Sequence, residues 1–130
     1  MMNEEMFKHR TKQLGLRTIR LVDTLPTILS ASVIGKQIIR SVTSVGANYR
    51  AVCRAKSDAD ILNKLEIVEE EADETLFWQE LLVEAGIVPA TRLSELMRET
   101  DEIIAMTVAS IKTLRTKMNR KSKIMNHNES

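Results

Sequence analysis

The sequence predicts an all-α fold, an antiparallel up-down-up-down four-helix bundle. Three observations carry that expectation. Leu, Ile, Ala, Glu, Lys and Arg, all good helix formers, are abundant. Only two prolines and four glycines occur in 130 residues, which leaves room for few turns. Apolar residues return every three or four positions over long stretches, the period of a helix with one buried face. A chain of this length is one domain and can bury a real core. Residues 1–120 are assigned to the bundle and 121–130 to a basic, polar C-terminal tail.

The first helix is expected from about Glu4 to Asp23, with Phe7, Leu14, Leu21 and Leu25 in line and Ile19 and Val22 beside them. Pro26 stops it, because proline disfavours helical geometry in the residue before it. The second spans about Ser30 to Ala55. Its residues Ile34, Ile38, Val42, Val45, Tyr49 and Val52 step by four or three, which is a bundle seam. Ser57-Asp58-Ala59-Asp60 reads as a capping box that opens the third helix. Its seam runs through Ile61, Leu65, Val68, Ala72, Leu76 and Val83, and Gly86 ends it as a C-cap. The fourth opens near Pro89, which a first turn accepts, and carries Leu93, Leu96, Ile103, Ile111 and Leu114 to about Arg120.

Composition narrows the function classes. The polar start Met1-Met2-Asn3-Glu4-Glu5-Met6 does not read as a signal peptide, and no apolar run approaches a membrane span. With Cys53 alone, no intrachain disulfide is possible, and a cytoplasmic protein is expected. Net charge is only +1, yet it is segregated: residues 1–56 are basic, 57–104 acidic and 105–130 basic. Elements of such a chain pair in part by charge, and the basic ends are candidate polyanion contacts.

No catalytic, metal or cofactor site is expected. The acids Glu66, Glu69, Glu70, Glu71, Asp73 and Glu74 lack the Glu-x-x-His partners of a bundle metal centre, since His9 and His127 sit near the ends. Cys53 has no mid-chain histidine to activate it and reads as a small core residue.

Three surfaces are singled out instead. Folding the second and third helices against each other about residue 57 sets Arg40 by Glu74, Asn48 by Glu66, Tyr49 by Leu65 and Arg54 by Asp60. Arg40, Ser44, Asn48, Arg54, Asp60, Glu71 and Glu74 therefore form an expected polar network. Along the stripe Arg40, Ser44, Ala47, Ala51 and Arg54, small side chains allow another helix to come close. The third helix is apolar nearly all round, so Ile67, Phe77, Trp78 and Leu81 are expected at a subunit interface. Lys8, Arg10, Lys12, Arg17 and Arg20, with Lys112, Arg115, Lys117, Arg120, Lys121 and Lys123, form one expected phosphate-binding patch if helices one and four are neighbours. No aromatics interleave with these cations to stack bases.

The stretch RSVTSVGANYRAVCRAKSDADILNKL, followed by EADETLFWQELL, resembles a bacterial four-helix-bundle family. That family includes proteins encoded in intervening sequences of 23S ribosomal RNA genes and, more distantly, accessory variability proteins of diversity-generating retroelements. The resemblance lies on Arg40, Ser41, Ser44, Gly46, Ala47, Asn48, Tyr49, Arg54, Ser57, Asp60, Lys64, Glu71, Ala72, Glu74, Thr75 and Trp78. Ala51, Leu62 and Glu70 depart from the pattern and bear on surface charge more than on fold. The resemblance implies an all-helical protomer, a ring-like homopentamer, and association with RNA, DNA or a nucleic-acid enzyme. The expected function is thus a non-enzymatic, nucleic-acid-associated scaffold or accessory factor. The alternative is a structural oligomer or protein-interaction adaptor without nucleic-acid binding.

Overall fold

The computed structural model describes residues 3–129; Met1, Met2 and Ser130 of the expected termini lie outside the described residues. The chain forms four helices, α1 (Glu4–Val22), α2 (Leu29–Arg54), α3 (Asp58–Glu84) and α4 (Ala90–Glu129). Helices consecutive in sequence are neighbours in space, and α4 returns to α1 to close a four-helix bundle. Cross-helix contacts run in opposite directions: Phe7 with Tyr49 and Val22 beside Gly35 for α1–α2, Gln79 with Thr100 and Glu66 with Arg115 for α3–α4, and Arg10 with Glu99 and Arg17 with Glu95 for α1–α4. The short links make this the economical topology.

Local chemistry sets the ends. Asn3 caps α1 by accepting from the Met6 amide at 3.0 Å, and Ser57 caps α3 by accepting from the Asp60 amide at 3.1 Å. Gly86 stands one residue past the cap of α3 and not on it, since Ala85 is the C-cap. Its φ of 71° is the left-handed geometry that suits glycine. The Gly86 amide donates to the Val83 carbonyl and the Ile87 amide to the Leu82 carbonyl, each at 3.0 Å, which completes a Schellman motif.

The core holds Phe7, Leu14, Ile38, Val42, Val45, Tyr49, Leu65, Val68, Leu82, Leu93 and Ile103, all but sealed from solvent. Phe7 meets Tyr49 edge-on, with ring centres 4.5 Å apart. On α3 the expected seam shifts. The buried line is Leu65, Val68, Ala72, Thr75, Gln79 and Leu82, while Leu76 and Val83 are only half-buried. The same happens elsewhere: Thr11, Thr18, Ser41, Thr100 and Thr107 are also buried. A helical threonine can hide its hydroxyl by bonding to a carbonyl of the preceding turn, leaving a methyl to pack. Thr75, Thr100 and Thr107 do this to Glu71, Leu96 and Ile103 at 2.7–2.8 Å.

The fourth helix does not end near Arg120 but runs to Glu129. No proline or glycine follows Pro89, so nothing in the backbone chemistry stops it. Its 40 residues span ~60 Å at ~1.5 Å per residue. Past Met118 its side chains are exposed as far as His127, so the basic tail is a helical projection beyond the core.

Candidate interaction surfaces

At the α2–α3 seam, Arg40 lies between Glu71 and Glu74. Glu74 is held below the ordinary carboxylate range by the Arg40 hydrogen bond. Glu71 goes the other way, because burial outweighs the attraction of Arg40. Beneath this network Ser41 Oγ and Thr75 Oγ1 share a buried hydrogen bond of 2.9 Å, which stitches α2 to α3 through two small side chains.

The rest of the expected network does not assemble across the seam. The Asn48 amide donates to the carbonyl and hydroxyl of Ser44, one turn back on its own helix, at 2.9 Å each. Glu66 turns instead to Arg115 of α4 at 3.8 Å. Arg54 and Asp60 are both exposed and line one shallow pocket, yet they form no ion pair. Ala47 and Ala51, expected where helices approach closely, line surface grooves of the protomer.

The basic residues are divided by carboxylates that charge counting alone does not place. The Arg10 guanidinium binds Glu99 and Glu102 of α4 and holds Glu99 below the ordinary carboxylate range. Arg17 faces Glu95 at 3.8 Å and Lys8 faces Glu5 at 3.3 Å. Asp58 takes Lys121 at 2.8 Å and Lys117 at 3.6 Å, and the Lys121 hydrogen bond lowers its pKa. Among the described residues, Lys12, Arg20, Lys112, Arg120 and Lys123 are left without an ion-pair partner. Arg10 already reaches Met106, so α4 beyond its middle runs past the start of α1. The two basic ends thus do not merge into one continuous patch. Lys112, Arg120 and Lys123 share one face of α4 by helical spacing and are exposed.

Of the expected interface residues, Phe77 is 50% exposed, while Ile67, Trp78 and Leu81 are half-buried. Trp78 also packs on the core. Its indole NH donates to Glu74 at 3.4 Å, and Phe77 meets it edge-on at 5.0 Å. Sequence reasoning missed a groove between α1 and α2, of about 610 Å³, lined by Lys8, Lys12, Gly15, Gly46, Ala47 and Arg50 among others. The pattern Gly15–Gly46 on two adjacent helices was the available signal.

The model of the 23S rRNA-intervening sequence protein family matches residues 5–109. The chain belongs to that family. A similar solved structure is that of a protein of unknown function from the S23 ribosomal protein family of Bacteroides thetaiotaomicron. It has a TM-score of 0.76 and 34% identity, over 82% of this chain and 98% of that one. No curated protein matches the chain. The matched region holds α1, α2, α3 and the first half of α4. Lys112, Arg115, Lys117, Arg120, Lys121 and Lys123 all lie beyond it.

Two further facts bound the chemistry. Among the described residues, no group of three or more His, Cys, Asp or Glu is placed to hold a metal ion. Among the described residues, no helix is long and apolar enough to cross a membrane. Burial pushes the Cys53 thiol up.

Proposed function

We propose that this protein is a non-enzymatic scaffold or accessory factor that self-assembles into a ring-like homopentamer and binds RNA or DNA phosphates through α4. The observation that carries the nucleic-acid part is that Lys112, Arg120 and Lys123, on one exposed face of α4, have no ion-pair partner among the described residues. Cations already bound to carboxylates must break those pairs to contact phosphate; these need not. Contacts from such cations to a phosphate backbone position the helix and carry no base readout. Burial that pushes the Cys53 thiol up argues against its use as a nucleophile, and a lone cysteine fits a cytoplasmic setting.

A second reading, a structural oligomer or adaptor without nucleic acid, is favoured by the self-neutralisation of Arg10, Arg17, Lys117 and Lys121. Titration of labelled RNA and duplex DNA at two salt concentrations separates the two. Phosphate binding weakens steeply with salt, and replacing Lys112, Arg120 and Lys123 by Glu lowers the logarithmic salt slope by about 2–3. An unchanged affinity in that triple variant, or no binding at low salt, refutes the nucleic-acid part.

A further inference from the structure

Two surfaces of the protomer complement each other and cannot meet within one chain. The first is a line along α3: Glu70, Asp73, Phe77, Glu80 and Glu84, spaced three and four apart and all exposed. Among the described residues none of its four acids has an ion-pair partner. Phe77 sits at the centre, 50% exposed and held upright by its edge contact with Trp78. The second is the α1–α2 groove, floored by Gly15, Gly46 and Ala47 and rimmed by Lys8, Lys12 and Arg50, with Glu5 at one end paired to Lys8. Lys12 and Arg50 have no ion-pair partner among the described residues. A Cβ built on Gly15 would meet no atom within 4 Å, so the floor is open there.

We propose that the acidic, Phe77-centred line of α3 in one copy docks into the basic, glycine-floored α1–α2 groove of a second copy. The inference rests on the self-assembly part of the reading above and names its surfaces. Charge complementarity selects the occupant. An apolar knob flanked by acids needs a cavity flanked by cations, and the chain supplies both, with the four acids of the line and Lys12 and Arg50 of the groove uncommitted among the described residues. The lengths agree as well. Glu70 to Glu84 spans ~21 Å of helix, and the groove follows α1 from Glu5 to Ile19, also ~21 Å. Glycines and alanine on the floor let a neighbouring helix come close, and an aromatic in such a pocket is the usual centre of an interface. The two surfaces differ, so the contact is head-to-tail. Repeated, it gives a ring when the rotation closes and a filament when it does not.

The test uses two full-length variants measured by light scattering behind size exclusion. The groove variant is Lys12→Glu with Arg50→Glu; the line variant is Phe77→Asp with Glu80→Lys. All four side chains are exposed, and circular dichroism checks that the fold is kept. Milder versions, Lys12→Gln with Arg50→Gln and Phe77→Ser, stand in if either unfolds. The wild type is expected as an oligomer and each variant as a single 14.7 kDa chain. An equimolar mixture is expected to form a two-chain particle and to stop there, because only one intact groove and one intact line remain per pair.

Variants that keep the wild-type mass overturn this docking while leaving self-assembly standing; a monomeric wild type overturns both. A mixture that stays monomeric, or grows past two chains, overturns the pairing of these two surfaces. A groove variant that keeps its mass but loses RNA binding assigns the groove to nucleic acid instead.

Discussion

Gln79 and Thr100 form the most exacting contact of the interior. Both are fully buried, and the Gln79 Nε2 donates to the Thr100 hydroxyl at 3.0 Å across the α3–α4 seam. Thr100 Oγ1 in turn bonds to the Leu96 carbonyl at 2.8 Å. Gln79 Oε1 has no hydrogen-bond partner. Thr100→Val preserves shape and the β-branch but strands the Gln79 amide, a loss of about 1–3 kcal/mol. Leu96 loses little, because its carbonyl already accepts within the helix. In a Gln79→Met background there is no buried amide to strand, so the same Thr100→Val change is expected to cost under about 1 kcal/mol. The coupling between the two sites is therefore about 1–2 kcal/mol. Urea unfolding followed by circular dichroism at fixed protein concentration measures it. With m of about 2 kcal/mol per M, Thr100→Val alone lowers the midpoint by about 0.5–1.5 M. Equal effects of Thr100→Val in both backgrounds would refute the reasoning. So would a Gln79→Met loss above about 2 kcal/mol, which would mean that the amide oxygen is bonded in solution.

Two further outcomes follow from the same geometry. Gly86→Ala forces a side chain into left-handed backbone and is expected to destabilise the protein by about 1 kcal/mol, seen as a lower urea midpoint with unchanged m; no change would mean that the α3 terminus rearranges freely. Glu99 is held by Arg10 with its carboxyl below the ordinary range, and its side chain is 19% exposed. A lowered carboxylate adds stability above its unfolded pKa and loses it as pH falls through the folded value. Glu99→Gln should thus cost about 1 kcal/mol at pH 7, between an exposed pair and a buried one. The gap to wild type should close below about pH 4.5; a gap that persists in acid refutes the pairing.

How much was legible depended on the kind of residue. Apolar side chains advertise burial by type, so the α2 seam from Ile38 to Tyr49 could be read from its spacing. The α3 seam was displaced because Thr75 and Gln79 are polar, and a polar residue declares burial only when its partner is known. Ser41 makes the same point, since its partner lies 34 positions away on α3. Arg40 was placed beside Glu74 by antiparallel arithmetic, and the pair forms although it lies far from the turn at residue 57. Nearer that turn the arithmetic does not secure a pair: Asn48 bonds to its own helix and Glu66 turns to α4, because register sets which positions are level and not which neighbour a side chain takes.

The sequence by itself determined the all-α class, four helices and the Ser57 cap of α3, because helical period, Ser57, Pro26 and Gly86 act within a few residues along the chain; it did not place the end of α4. It also determined that charge is segregated into basic, acidic and basic blocks. Only the tertiary structure decided which cations remain uncommitted. Arg10 is bound by Glu99, 89 positions away, whereas Lys12, two residues on, borders an open groove. Successive residues of a helix point about 100° apart, so neighbours in sequence meet different helices, and which helix each meets is set only by how the four pack.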